Sequence, residues 1–175
     1  MRRPRRHGPR MPEAWVALYT PTCLVTAKLD PGGRRLSDHL NDRSTSYVVV
    51  DDVTYYDLLS DGSEPTTAVS MTLRKDLVQL VVPEDAPDPL RPRIRTNALP
   101  MVLGLSGFNV RGHLHRQPSD PTRLVELFAN PATRPFVAVS DAEIRYLFNG
   151  RFDATVSLAL VNTKNIQFWA LEGDD

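Results

Sequence analysis

The sequence predicts a mainly β protein made of two small β-barrels in tandem, each with one short helix. Three observations support this prediction. Short apolar segments typical of strands recur along the chain, the second half repeats the order of the first, and a proline-rich segment lies between them. The 175 residues are 41% hydrophobic and 24% charged, which is typical of a folded chain and leaves room for two small domains.

The first barrel is expected at residues 13–83. Its strand-like segments are rich in β-branched and aromatic residues or alternate apolar with polar ones. They cover residues 15–19, 23–29, 47–56, 69–73 and 77–82. Leu36, His39 and Leu40 have the i, i+3, i+4 spacing of one helical turn. Asp61-Gly62 predicts a hairpin turn before the fourth strand.

The second barrel is expected at residues 101–175 and repeats that order. Its strand-like segments cover residues 101–105, 108–114, 136–148, 155–161 and 166–171. Leu124, Leu127 and Phe128 predict its helical turn, and Asn149-Gly150 predicts its hairpin turn.

Four short matches between the halves, in the same order, indicate an internal duplication. Residues 47–55 correspond to 136–144, 35–41 to 123–130, 27–29 to 112–114, and 75–77 to 164–166. Five short strands and one helical turn bury little apolar surface as a flat sheet. We therefore expect each unit to curl into a closed or nearly closed barrel, which also reduces its exposed edges.

Residues 84–100 form the predicted linker between the barrels. Proline at this density fixes φ and removes backbone donors, so an extended spacer is expected. The alternating Arg91, Arg93 and Arg95 are balanced in number by three acidic residues, Glu84, Asp85 and Asp88. This balance favours a solvated linker over a phosphate-binding strip.

A basic tail is expected at residues 1–12, with its arginines at Arg2, Arg3, Arg5, Arg6 and Arg10. The whole chain has 21 basic and 21 acidic residues, so removing these five arginines leaves 16 against 21. The tail predicts either a disordered leader, with Met11 as an alternative start, or an electrostatic arm for nucleic acid or an anionic membrane. It lacks the apolar core of a secretory signal, and no segment of the chain approaches about 20 apolar residues. We therefore expect a cytoplasmic protein without a membrane span.

The predicted unit resembles the Sm-like fold, a five-stranded small barrel. Gly112-His113-Leu114, followed by Glu126 and Asn130, resembles the Gly-x-Leu strand, acidic residue and Asn of that family. The first unit matches through residues 27–29, Asp38 and Asn41, with Ala27 in place of the Gly. A helical turn replaces the family's tight loop, and residues 73–76 and 162–165 replace its Ile-Arg-Gly signature. The resemblance therefore implies the topology rather than uracil binding.

Residues 35–41 carry a second resemblance. Their Arg-Leu-Ser-Asp-His-Leu-Asn run is similar to a segment of small bacterial proteins of unknown function. This resemblance implies no activity.

Few residues predict chemistry. His113 and His115 are the metal candidates, because side chains at i and i+2 of a strand point the same way, although no third ligand is visible. Cys23, the single cysteine, excludes an internal disulfide and has no local base that would make it a nucleophile. Asp51-Asp52 and Asp141 follow the valine-rich strand in both halves. They predict a strand bend rather than an acid–base pair.

The favoured function is that of a non-catalytic module for protein interaction or scaffold assembly. Exposed strand edges would bind a protein partner or a second copy of the chain. The alternative is RNA binding through the arginine tail, and the third possibility is a metal-dependent enzyme using His113 and His115. No phosphate-binding Gly loop, nucleophile elbow or His-Glu-x-x-His motif occurs, so no cofactor and no catalytic residue is predicted.

Overall fold

The computed structural model describes residues 13–60, 64–84, 97–116, 124–129, 135–148 and 150–172. This part of the chain contains ten β-strands and two short α-helices. The first half consists of β1 (Ala14–Tyr19), β2 (Cys23–Leu29), α1 (Leu36–Asn41), β3 (Tyr47–Asp57), β4 (Thr66–Arg74) and β5 (Leu80–Pro83). The second half consists of β6 (Asn97–Leu105), β7 (Phe108–Arg116), α2 (Leu124–Ala129), β8 (Phe136–Tyr146), β9 (Ala154–Asn162) and β10 (Phe168–Leu171). Two short 3₁₀ turns, Gly150–Phe152 and Thr163–Asn165, flank β9.

All ten strands form one antiparallel sheet in the order β10-β6-β7-β8-β9-β5-β1-β2-β3-β4. Within each half, the first four strands follow one another as a meander and the fifth returns to pair with the first. The two halves are joined where β5 pairs with β9. The prediction of a mainly β fold with one short helix per half is confirmed in this part of the chain.

The expectation of two closed or nearly closed barrels is not confirmed, and full closure is wrong, because the sheet is open. Closing the first half would require β5 to pair with β4, but the free side of β5 is occupied by β9. Closing the second half would require β9 to pair with β10, and the same β5–β9 pairing prevents it. As a result, β4 and β10 are the two edge strands of the sheet.

The strands pair in matching registers in the two halves. Tyr19 pairs with Leu80 as Gly104 pairs with Phe168. Each long strand, β3 and β8, also contains an aspartate at positive φ, 51° at Asp52 and 50° at Asp141. The register with the preceding strand shifts beside both residues, which agrees with the predicted strand bend.

The bend in the second half requires close packing at Gly112. A Cβ atom added there would lie 2.7 Å from the Ser140 carbonyl oxygen and 2.9 Å from a Val139 methyl group. The absence of a side chain at Gly112 therefore allows β7 to approach β8 at the bulge.

Helix α1 is too short to be stable alone and is held by tertiary contacts. Leu40 is buried in the first-half core. The Lys75 ammonium donates hydrogen bonds to the carbonyl oxygens of His39 and Asp42, at 3.1 and 2.8 Å. A cation bonded to the last carbonyls satisfies the unpaired acceptors of a helix C-terminus.

Two hydrophobic clusters form the core, and each draws residues from both halves. The first-half cluster is built mainly on β1, β2 and β3 but includes Phe136 and Leu160 of the second half. The second-half cluster is built mainly on β6, β7 and β8 but includes Leu58, Leu80 and Val82 of the first. The halves therefore interlock at the β5–β9 pairing.

Several expectations concern residues outside the described part of the chain. These are the basic tail at 1–12, most of the predicted linker at 84–100, the Asp61-Gly62 turn, Asn130 and Asn149. Residues 97–100 of that linker belong instead to β6. The division into two domains stays a prediction. Among the described residues, no helix is long and apolar enough to cross a membrane.

Candidate interaction surface at the edges of the sheet

The β5–β9 pairing shows how this sheet buries a strand between its halves. Leu80 pairs with Val161 and Val81 pairs with Leu160, and all four side chains are at most 3% exposed. The Asn162 amide continues the contact by donating to the Gln79 carbonyl oxygen at 2.8 Å. We call this pairing, with the residues packed around it, the junction.

Side-chain amides reinforce the junction by bonding backbone groups across it. The buried Asn162 Nδ2 donates to the carbonyl oxygens of Lys75 and Val78, at 2.9 and 2.8 Å. Asn41 Nδ2 donates to the Phe136 carbonyl oxygen at 3.0 Å, and Asn41 Oδ1 accepts from the Phe136 amide at 2.8 Å. Asn41 is the last residue of α1, so the end of this helix is bonded directly to the start of β8 in the other half.

Within the described residues, the edge strand β4 has no strand partner on its outer side. Its sequence, Thr-Thr-Ala-Val-Ser-Met-Thr-Leu-Arg, contains no proline and no charge before Arg74. Val69 is 88% exposed, and the neighbouring β3 residues Tyr47 and Val49 are each 48% exposed. This end of the sheet therefore presents apolar side chains beside unpaired backbone groups.

The other edge strand, β10, is the tetrapeptide Phe-Trp-Ala-Leu, and all four residues are exposed. Phe168 is 51% and Leu171 59% exposed. Trp169 is partly covered by Phe128, with ring centroids 4.9 Å apart. Leu147, which follows β8, adds another side chain that is 55% exposed.

Neither edge strand contains a lysine or a proline. Natural edge strands are usually protected by lysines, prolines, inward-facing charges or a covering segment. Two charged residues at these edges form ion pairs, Arg74 with Asp76 at 2.5 Å and Glu172 with Arg111 at 2.9 Å, while the exposed Asp51 lies opposite Ser70 of β4. The β10 edge is thus apolar, whereas the β4 edge alternates apolar side chains with threonine and serine.

A cleft of about 550 Å³ lies beside the junction, lined by α1, β4 and the start of β8. Two of its carboxylates are in ion pairs, Asp42 with Arg34 and Asp76 with Arg74, both at 2.5 Å. Hydrogen bonds from Ser44, together with Arg34, hold the pKa of Asp42 well below its usual range. The basic residues Arg43 and Lys164 also line the cleft. Burial lowers the pKa of Lys75, whose ammonium also donates to Thr45 Oγ1 at 3.1 Å. Because Lys75 has three acceptors around it, it serves the helix end rather than a ligand.

The metal candidates His113 and His115 lie on β7 beside the bulge. His113 Nδ1 is 3.6 Å from an Asp141 carboxylate oxygen, and His115 Nε2 is 2.8 Å from Ser140 Oγ. Sequence reasoning did not single out Ser140, and no local motif marks it. No group of three or more metal-ligating side chains occurs among the residues that could be searched. Metal binding by this pair stays a prediction.

The remaining candidates are not brought together with these histidines. Cys23 is half-buried, with its Sγ 3.1 Å from Thr20 Oγ1. Asp52 forms an exposed ion pair with Lys28 at 2.6 Å. Arg2, Arg3, Arg5, Arg6 and Arg10 lie outside the described residues.

Comparison with known proteins adds no family to this description. No family model matches the chain, and the searches of curated proteins and of solved structures found no match.

Proposed function

We propose that this chain is an assembly module that binds polypeptide by strand addition at its two sheet edges. The observation that carries the proposal is the pair of edge strands, β4 and β10, which no described residue covers on the outer side and which each carry exposed apolar side chains. An incoming strand would satisfy the unpaired backbone groups of the edge and cover these side chains. The described residues at the edges supply backbone and apolar surface, which is the chemistry of binding rather than of catalysis.

We also propose that the two halves descend from one duplicated unit related to the Sm-like fold. The shared strand order, the matching registers and the aspartate of positive φ in each long strand support this origin.

The proposal is tested with peptides copied from the strands that already pair at the junction. A fluorescein-labelled peptide of residues 76–84, which contains β5, should bind the β4 edge, and one of residues 153–164, which contains β9, should bind the β10 edge. Fluorescence anisotropy measures the binding, and scrambled peptides of the same composition are the controls.

Edge variants locate the binding. Tyr47→Asp should abolish binding of the 76–84 peptide and leave the 153–164 peptide bound, whereas Phe168→Asp should have the opposite effect. Binding of neither peptide to the unmodified chain or to either variant would reject strand addition at these edges.

A further inference from the structure

We propose that Ser140 and His115 form a nucleophile and general-base pair that takes an acyl group from an activated ester. Ser140 Oγ and His115 Nε2 are 2.8 Å apart. A base accepts the proton of a hydroxyl nucleophile at about 2.6–3.2 Å. The pair lies on β8 and β7, inside the sheet rather than on an edge strand. The inference is therefore independent of the proposed function, and either can fail alone.

The length of β7 brings the histidine beside the serine. Ser140 pairs directly with His113, and His115, two residues further along β7, points to the same face of the sheet. His115 still belongs to the strand because it pairs with Ala98 of β6. In the first half, the corresponding strand β2 ends at Leu29, one residue before the position that corresponds to His115.

The first half also shows that the strand bend does not require this pair. Both long strands have a register shift beside an aspartate of positive φ. At the position of Ser140, however, the first half has Asp51, which pairs with Lys28 as Ser140 pairs with His113. The same bulge thus forms without a serine and a histidine, so the fold of the unit does not explain why the second half has them.

The pair is accessible to a substrate. Ser140 and His115 are each only partly buried, and the neighbouring Asp141 side chain is 77% exposed. Asp141 Oδ2 lies 3.3 Å from Ser140 Oγ, so the hydroxyl has two neighbours that accept a proton. His115 is the closer of the two. It accepts the proton when its own ring proton is on Nδ1.

The neighbours of the pair indicate the class of ester. Leu158 of β9 pairs with Ser140, and Ala98 of β6 pairs with His115. Because directly paired residues place their side chains on the same face, an apolar side chain adjoins each member of the pair. Both are uncharged, and one is only a methyl group. These neighbours favour the ester of a short apolar acid.

The proposed reaction is acyl transfer to the serine followed by hydrolysis. Ser140 Oγ attacks the carbonyl carbon of the ester, and its proton moves to His115 Nε2. The bond to the leaving oxygen then breaks, and the leaving group takes the proton from His115. Water, losing a proton to His115, cleaves the acyl-serine, which releases the acid and restores the hydroxyl. Water is the only co-reactant.

A fluorophosphonate probe tests the nucleophile, because it reacts with activated serines and releases fluoride. The full chain is labelled in the presence of EDTA, and the adducts are mapped by peptide mass spectrometry. Ser140 should react at least about 100-fold faster than Ser157, an exposed serine on β9, since a positioned general base contributes about 10²–10⁴-fold. Labelling of Ser140 no faster than that of Ser157 would overturn the proposal, and this comparison needs no variant.

Histidine variants identify the base. His115→Gln should lower the rate of Ser140 labelling by about 100-fold or more. His113→Gln is the matched control and should leave the rate unchanged, because His113 Nδ1 faces the Asp141 carboxylate at 3.6 Å. An unchanged rate in His115→Gln would overturn the assignment of the base. Circular dichroism checks that the variants are folded, and His115→Asn replaces His115→Gln if it is not.

Hydrolysis of p-nitrophenyl butyrate tests the acyl transfer. The unmodified chain should release p-nitrophenolate faster than buffer does, and Ser140→Ala should lose this excess. Ser70→Ala should match the unmodified chain, because the Ser70 hydroxyl donates to the Val50 carbonyl oxygen at 3.1 Å. Equal release by Ser140→Ala and the unmodified chain would reject the serine as nucleophile. Release that EDTA abolishes would reject it as well and assign the activity to a metal bound by the histidines of β7.

Discussion

The junction and the open edges are the same structural position in two different environments. At the junction, β5 and β9 are covered on both faces, because Leu80 and Val161 face the second-half cluster while Val81 and Leu160 face the first. At the edges, β10 and β4 have the same neighbours within their own halves, but nothing among the described residues covers their outer sides. The comparison teaches that one strand pairing both joins the halves and determines which strands are left open.

The largest expected effect comes from placing a charge at the junction. Leu160→Asp would remove a buried leucine and leave a carboxylate without a partner, and each change costs several kcal/mol. We expect the loss to exceed about 4 kcal/mol, a large part of the roughly 5–15 kcal/mol that stabilises a domain, and to appear as a lost or much earlier urea transition.

The matched variant for this prediction is Thr72→Asp on the exposed edge strand, measured in the Phe168→Asp background so that assembly does not contribute. Its urea midpoint should stay close to that of the background. If Leu160→Asp and Thr72→Asp lowered the urea midpoint equally, the burial of Leu160 at the junction could not be the cause of the loss.

A smaller effect is expected for a core leucine that crosses the junction. Leu58→Ala should lower the free energy of unfolding by about 2–5 kcal/mol, because it leaves a cavity in the second-half cluster. Leu147 follows β8 as Leu58 follows β3. Leu147→Ala removes a mostly exposed side chain and should change the free energy of unfolding by less than about 1 kcal/mol. Chemical denaturation of both variants, in the Phe168→Asp background, measures the difference. A Leu147→Ala loss as large as that of Leu58→Ala would show that the edge is covered within a single chain.

The smallest effect is expected for the side-chain amide that bonds the backbone of the other half. Asn41→Ala would remove both hydrogen bonds to Phe136 and should cost about 1–2 kcal/mol. Asp38→Ala, an exposed position on the same helix, is the control for a change in helix stability alone. The thermal unfolding midpoints of Asn41→Ala and Asp38→Ala are compared in the Phe168→Asp background. Equal midpoints would show that the hydrogen bonds of Asn41 contribute nothing to stability.

The strands could be predicted closely because their signals are local. Alternation and β-branched content located residues 23–29 as β2 and residues 136–148 as the region of β8. The ends of strands were less accurate: β5 begins at Leu80 rather than at residue 77, because Lys75 and its neighbours form the turn that holds α1.

The sequence suggested what kind of surface would bind a partner, but not where that surface lies. Strand edges were expected to bind a partner. Which strands form the edges depends on the β5–β9 pairing, and this pairing was not predicted. Tyr47 and Phe168 lie within two of the predicted strand segments, and both are about half exposed. Tyr47 occupies the position in β3 that buried Phe136 occupies in β8, and Phe168 occupies the position in β10 that buried Leu80 occupies in β5. This equivalence can be recognised only from the pairing registers of both halves.

The sequence by itself determined where the described chain forms strands and short helices, because these depend on the periodicity and shape of neighbouring side chains. It also contained the matching order of the two halves. Only the tertiary structure decided that β5 pairs with β9, since any two apolar strands can supply the same backbone donors and acceptors. That choice depends on the fit of Leu80, Leu160 and Phe136 into the opposite cores, and it leaves β4 and β10 open.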